Sequence, residues 1–266
     1  TNAGPVMTSL LRGLGRHELI SNQTVLIVYQ NPERYEDAPA AAEALVKRGA
    51  AAIVTLASPN VALAAQAAAK SIPVIFATTG DPVKLGLVAS LDKPGANMTG
   101  VALAPRAVIA KRADILGLLT PAGKKAGLLV NPDNRASAGE REAYTAAREI
   151  ITLEAADEAS IEAAFARAAR EGVGALAIAE DARLNRLRDK IIAAANRTKI
   201  ATVHATREGA AAGGVAAHGD LRTEQMIRLG DLAGRALRGG KPESMAVAVA
   251  DRFETVINAK AAAALG

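Results

Sequence analysis

Several short polar clusters in this sequence combine residue types that can hold a small charged molecule. Ser58, Pro59 and Asn60 follow the apolar run Ala52 to Leu56. A serine at the N-cap and a proline at the first helical position start a helix, and its free N–H groups from Asn60 onward can bind a carboxylate. Thr78, Thr79, Gly80 and Asp81 follow the run Ile72 to Ala77, so two hydroxyl donors sit beside a glycine that allows close backbone approach. Asn131, Glu180 with Asp181, and His204 with Thr206 close three later apolar runs. A carboxylate there can hold an ammonium. Asp181 is the preferred partner, and Glu180 comes second because its direction alternates with that of Asp181. His218 ends a further apolar run, and a neutral imidazole donates or accepts one hydrogen bond. This is the chemistry of capture rather than of bond making.

Each cluster also has a plainer reading. Ser58 and Asp181 can simply cap the helices that follow them, and for Asp81 the cap is the stronger reading. A lone histidine is most often a satisfied structural group. In "PGANMTG", Gly95, Asn97 and Gly100 are expected to serve backbone geometry. No cysteine is present and the three histidines are scattered, so neither thiolate chemistry nor a zinc-type ligand set is indicated. There is no P-loop, no G-x-G-x-x-G after a strand and no G-x-S-x-G elbow. The expectation is a protein without catalytic residues, metal or cofactor.

The elements that carry these clusters alternate. Short β-branched runs at Thr24 to Tyr29, Ala52 to Leu56, Ile72 to Ala77, Gly127 to Val130, Ile150 to Leu153, Ala175 to Ala179 and Ile200 to Val203 read as buried strands. Segments of helical spacing lie between them, at Pro39 to Arg48, Val61 to Lys70, Ala107 to Leu119, Ala138 to Arg148, Ile161 to Arg170 and Leu184 to Asn196. This is a βαβα pattern, hence parallel sheets covered by helices. The passage Leu91 to Gly100 interrupts it, which predicts two similar units rather than one long sheet. After the glycine-rich Glu208 to Gly214 come Val215 to His218, a long helix from Leu221 to Arg238, the strand-like Met245 to Ala250 and a last helix from Phe253.

The chain opens on a helix, Val6 to Leu14, whereas a doubly wound unit normally opens on a strand. A strand is therefore expected ahead of Thr1. The abrupt passage near Arg148 to Ile150 similarly suggests a few missing loop residues. Over 266 residues, 50% are apolar and 22% charged, ample for one large or two modest cores. A net charge of +5, from 32 basic against 27 acidic residues, is spread along the chain, so nucleic acid is not indicated. No run of about 18 uncharged apolar residues offers a membrane span.

The segment Ile72 to Val101, "IPVIFATTGDPVKLGLVASLDKPGANMTGV", joins a strand ending in two threonines, the Gly80-Asp81-Pro82 turn, a "GLVASL" helix and the "PGANMTG" exit. In that order and spacing it resembles the tryptophan/tyrosine-type substrate-binding proteins of ABC transporters, and the likeness continues through "AKRADILGLLTP", "LLVNP", "EGAAAGGVAAHGD" and "FETVINAKAAAALG". The resemblance implies the type I periplasmic-binding-protein fold, with two doubly wound, Rossmann-like lobes joined by three crossover strands near 98–103, 205–218 and 245–250. The lobes would be 1–99 with 219–245, and 100–218 with 246–266, closing on a small ligand between them with the Thr78–Thr79 loop in the cleft. It implies export to the periplasm behind a leader that precedes Thr1, a membrane permease as partner, and a monomer that binds no nucleic acid. The expected ligand is a small carboxylate-bearing solute, an amino acid or an aromatic acid. With three tyrosines, three phenylalanines and no tryptophan, the sequence does not settle its side chain. A ligand-sensing regulator of the same fold is the main alternative, although no helix-turn-helix segment precedes the first lobe. A two-domain α/β transferase is the weaker one.

Overall fold

The computed structural model describes residues 4–265. In chain order the first elements are α1 (Pro5–Gly15), α2 (Ala38–Lys47), β1 (Ile53–Thr55), α3 (Pro59–Ala68), β2 (Val74–Thr78) and β3 (Met98–Ala102). Next come α4 (Arg106–Leu119), β4 (Lys125–Val130), α5 (Ser137–Ala147), β5 (Ile151–Glu154), α6 (Glu158–Arg170) and β6 (Val173–Ile178). The remainder is α7 (Ala182–Arg186), α8 (Arg188–Thr198), β7 (Ala201–His204), α9 (Arg207–Ala211), β8 (Ala216–Asp220), α10 (Arg222–Leu237), β9 (Ala248–Val249), β10 (Phe253–Ile257) and α11 (Ala259–Ala263).

These elements form two compact units, Thr1–Leu103 with Leu221–Ala250 and Ala104–Asp220 with Asp251–Gly266. The chain changes unit just after β3, β8 and β9, a few residues beyond the positions 99, 218 and 245 suggested by the sequence. Each strand thereby stays whole within its own sheet, since cutting it would strand ladder N–H and C=O groups without partners. The segment 205–218 contains α9 and lies within the second unit.

The first unit holds a parallel sheet of order β1-β2-β3-β9. Side chains alternate across a strand, so Ile75 and Ala77 join Leu10, Leu14, Val101, Met226 and Leu229 in one core, while Val74 and Phe76 join Ile53, Ala62, Ala65 and Met98 in the other. Both faces are covered, which is why β2 is apolar along its length. The second unit holds a sheet of order β10-β8-β7-β6-β4-β5, parallel except for β10, around one core that includes Leu128, Leu129, Tyr144, Phe165, Leu176 and Val203.

Several expectations need correction. Thr24 to Tyr29 is not a strand: only an isolated Ser21–Val25 bridge forms, and Leu26 and Tyr29 are 73% and 60% exposed. β-branched residues favour extended backbone, but a ladder also needs a neighbour. The strand expected ahead of Thr1 lies outside the described residues. Phe253 opens β10, antiparallel to β8 with Phe253 opposite Asp220, and the last helix starts only at Ala259, where the Asn258 side chain accepts from the Ala261 N–H at 3.0 Å. The helix expected over Leu184 to Asn196 is two helices parted at Leu187. "GLVASL" forms turns instead of a helix, with Gly86 in the left-handed region at φ 74°. Arg148 to Ile150 join α5 to β5, the Arg148 N–H bonding the Tyr144 carbonyl at 3.0 Å.

In "PGANMTG", Gly95 has φ 80°, a conformation that favours glycine. Asn97 acts through its side chain, donating to the carbonyls of Ala69 and, at 2.6 Å, Ile72. Gly100 lies in β3 where an added Cβ would come within 2.7 Å of the Phe76 ring and collide with that residue's carbonyl. Gly100→Ala is expected to destabilise the first unit by about 1–3 kcal/mol, as overpacked sites do. Urea unfolding checks this, and an unchanged midpoint would show that β2 and β3 can part without cost.

Candidate functional site

In doubly wound sheets the loops beyond the strand carboxyl ends are where ligands bind, and each unit has a polar set there. In the first unit, β1 and β2 lie side by side with Thr55 opposite Phe76, which gathers Thr55, Ser58, Thr78 and Thr79 at one edge of one sheet. Ala57 adopts φ 52°, rare for a residue with a Cβ, and turns the chain sharply into Ser58. Ser58 caps α3, its side chain accepting from the Val61 N–H at 3.4 Å, and Pro59 begins the helix. Asn60 is half-buried in the first turn.

Thr78 and Thr79 differ. The Thr78 hydroxyl donates to the Thr79 carbonyl at 3.0 Å. Thr79 is 1% exposed, yet its hydroxyl has no hydrogen-bond partner among the described residues, and the same holds for Thr55. Such a group costs about 1–3 kcal/mol relative to a satisfied one. Gly80 follows with φ 78°. The Asp81 carboxylate accepts from the Val83 and Lys84 N–H groups at 2.9 and 3.3 Å, the cap that the sequence favoured.

In the second unit Asp181 is bound on all sides. It accepts from the Arg183 and Leu184 N–H groups at 2.8 and 2.7 Å, from the Asn134 side chain at 2.8 Å and from the Asn131 side chain at 3.3 Å. The carboxylate caps α7 and ties it to the end of β4. Asn131 is itself fixed, since its side-chain oxygen accepts from the Asp133 N–H at 3.1 Å and its carbonyl from the Ser137 hydroxyl at 2.6 Å.

Beside it lies a buried charged group. Arg112 on α4 is 0% exposed. Its Nη1 donates to Glu140 Oε1 at 3.1 Å, and its Nη2 lies 3.6 Å from Glu180 Oε2. Glu140 Oε2 accepts from the Glu180 N–H at 3.1 Å. Burial by itself would lower the Arg112 pKa, but Glu140, Tyr144, Glu180 and Asp220 together hold it above its ordinary value. For Glu140, burial pushes the pKa up against the pull of Arg112. The Arg112 Nε and Nη2 and the Tyr144 hydroxyl have no hydrogen-bond partners among the described residues.

The remaining sequence candidates lie elsewhere. His204 is buried, with Nε2 at 3.0 Å from the Thr202 hydroxyl, and burial, with a smaller push from Arg188, takes its pKa down to about 4. A Cβ on Gly209 or Gly214 would fall within 2.6 Å of a ring nitrogen, so the glycine-rich passage is where this imidazole packs. Thr206 precedes α9 without a side-chain cap. His218 Nδ1 meets the Thr255 hydroxyl at 2.8 Å, and burial, then Arg112 and Lys111, lower its pKa. An open groove of about 430 Å³ lined by Arg141, Thr152, Glu154 and Arg167 contains none of these residues.

Sequence reasoning passed over Thr55, Arg112, Asn134, Glu140 and Tyr144. A signal was present. Arg112 falls among Val108, Ile109, Ala113, Ile115 and Leu116 on the buried face of α4, a single charge in an apolar stripe. Glu140 and Tyr144 share the buried face of α5 at i, i+4 spacing.

A model of the family described as ABC transporter substrate binding protein matches residues 7–266. A curated relative, the tyrosine-binding protein of Clostridioides difficile strain R20291, is 28% identical over 77% of this chain and 60% of its own length. The chain thus spans less than two thirds of that relative. Among solved structures, a conserved domain protein from Vibrio cholerae is 24% identical with a TM-score of 0.90, covering 98% of this chain and 89% of that one. The ABC domain from Streptococcus pneumoniae in complex with L-Trp is 23% identical with a TM-score of 0.87, covering 99% and 91%. At these identities the structures establish the fold, an α/β type I periplasmic-binding-protein architecture.

The His204 environment has a consequence for stability. The unfolded chain takes up a proton near pH 6.5 that the folded imidazole refuses until about pH 4. Its contribution is therefore full above pH 6.5 and declines as pH falls toward 4, by about 3 kcal/mol at most. Urea unfolding at pH 7.5 and 4.5 should show a smaller difference for His204→Gln than for the wild type. Equal differences would contradict the assignment.

Proposed function

The chain belongs to the ABC transporter substrate-binding proteins, and on that premise we propose that it is the solute receptor of an ABC importer and takes a small carboxylate-bearing ligand. Amino acids with aromatic side chains are the first candidates, because relatives carry tyrosine and L-Trp in their names. The receptor works outside the cytoplasm, delivers to a membrane permease and releases its ligand chemically unchanged. Among the described residues no helix is long and apolar enough to cross a membrane.

The observation that carries this reading is the Thr79 hydroxyl, buried at the carboxyl end of β2 and without a hydrogen-bond partner among the described residues. A ligand carboxylate supplies the acceptor that the protein withholds. The same edge offers Thr55, the N-terminus of α3 behind Ser58 and Pro59, and Gly80, whose missing side chain lets a ligand approach the backbone. Asp181, the sequence's preferred partner for an ammonium, already serves four donors of its own unit.

Thr79→Val keeps the shape and removes the hydroxyl. Calorimetric titration with L-tyrosine, L-tryptophan and 3-phenylpropanoate is expected to show affinity reduced about tenfold or more, since a hydrogen bond to a charged group contributes about 1.5–3 kcal/mol. The ligand-free variant should melt at the wild-type temperature or above it, because an unsatisfied buried group has been removed. Binding of sugars or metal ions alone, or a variant that melts lower with unchanged affinity, would contradict the proposal.

A further inference from the structure

The inner stripe of α10 is apolar except at its first position. Gln225, Leu229, Leu232 and Ala236 follow one another at helical spacing, and the last three pack with Ile75, Ala77 and Val101 in one core of the first unit. Gln225 is 0% exposed. Neither its amide oxygen nor its amide nitrogen has a hydrogen-bond partner among the described residues, although buried polar groups are nearly always bonded. A leucine would continue the stripe without that cost, so packing does not call for an amide here.

The fold puts that amide at the carboxyl end of the first unit's sheet. α10 ends beside the start of β3: an added Cβ on Gly240, just past the helix, would lie 2.8 Å from the Met245 methyl, and the Met245 carbonyl accepts from the Thr99 hydroxyl at 2.8 Å. From Leu237 back to Gln225 the helix rises about 18 Å, whereas β3 runs on from Thr99 for only about 10 Å. Arg228, one turn after Gln225, donates to the Val249 carbonyl at 3.4 Å. Val249 stands opposite Ala102, which stands opposite Thr78, so Gln225 lies beyond the row that ends β2, β3 and β9. Alternation puts Thr79 on the same side of the sheet as Ile75 and Ala77, the side that α10 covers. Two buried polar side chains without partners among the described residues thus share one face and one end of one sheet.

Their chemistry is complementary. A hydroxyl donates one hydrogen bond, whereas an amide donates at nitrogen and accepts at oxygen. Side chains on a helix lean toward its N-terminus, and α10 has no side-chain cap there, so its positive end adds to the attraction for a carboxylate. A bare carboxylate would use only the donors. The amide oxygen left over matches an N–H or O–H on the carbon beside the carboxylate, and being neutral it can take either.

We propose that Gln225 is a further ligand-binding residue of the first unit, whose amide N–H donates to the carboxylate that Thr79 holds and whose oxygen accepts from the group on the ligand's α-carbon. The receptor thereby selects α-amino and α-hydroxy acids over plain ones. This rests on the reading of the chain as a receptor for carboxylate-bearing solutes. Gln225→Met keeps the length of the side chain and removes both amide atoms.

The test is calorimetric titration of the wild type and of Gln225→Met with L-tryptophan, indole-3-lactate and indole-3-propanoate, which differ only at the α-carbon. The wild type is expected to bind L-tryptophan about tenfold or more, and indole-3-lactate about fivefold, more tightly than indole-3-propanoate. In Gln225→Met all three should weaken by about tenfold or more, and both preferences should fall close to one. The ligand-free variant should melt at the wild-type temperature or above it, because two unsatisfied buried atoms have been removed. If Gln225→Met does not fold, Gln225→Leu decides. Unchanged affinities in the variant overturn the assignment, as does a wild type that binds indole-3-propanoate as tightly as L-tryptophan, and in both cases the receptor reading stands. A variant that melts lower and keeps its preferences makes Gln225 a structural residue and overturns the assignment too. Failure of all three probes to bind the wild type removes the receptor reading, and the inference with it.

Discussion

Parallel strands covered by helices on both faces leave little room along their length for polar side chains, so such groups collect at the carboxyl ends, where the ladder stops. The rest of the molecule follows from that constraint. β2 is buried throughout, and its first polar side chains are the threonines at its end. β4 runs into Asn131 and β6 into Glu180 and Asp181 in the same way. The two sheets therefore repeat one arrangement, an apolar interior with a polar rim.

What distinguishes the rim positions is whether the protein satisfies them. Asp81 and Asp181 carry full charges and are engaged by backbone N–H groups of the turns that follow, as helix starts commonly require. His204 has its own hydroxyl partner and two glycines shaped to its ring. Among the described residues the hydroxyls of Thr55 and Thr79 have no such partner. Native proteins leave few buried polar atoms unpaired, and the proposed ligand would supply the acceptor for these two hydroxyls. Arg112 is the intermediate case, bonded on one side and open on the other.

Much of this was legible in the sequence. The β-branched runs and the spacing between them locate β1, β2 and the parallel core of the second unit, and Thr78, Thr79, Asn131, Glu180 and Asp181 stand at or just past strand ends, where the sequence places them, whereas His218 lies inside β8. What periodicity missed depended on neighbours. Thr24 to Tyr29 has the composition of a strand and no strand beside it, while Phe253 to Ile257 was read as helical because nothing local shows that β8 lies alongside. Arg112, Glu140 and Tyr144 were overlooked for a related reason. Each sits in the buried stripe of a helix, and only the packing of α4 and α5 brings the three together, with Arg112 bonded to Glu140 and the Tyr144 hydroxyl unbonded among the described residues. For Asp181 the sequence leaves both the cap and the ligand partner open, and only the fold shows two helix-start N–H groups and two asparagine side chains around its carboxylate.

The central claim is that the protein keeps the Thr79 hydroxyl for its ligand's carboxylate. A crystal structure with a bound aromatic amino acid tests it most directly. The account predicts a carboxylate oxygen about 2.7 Å from Thr79 Oγ1, as expected for a short hydroxyl–carboxylate bond. A ligand whose carboxylate is held elsewhere, with Thr79 still unpartnered beneath it, would contradict the account.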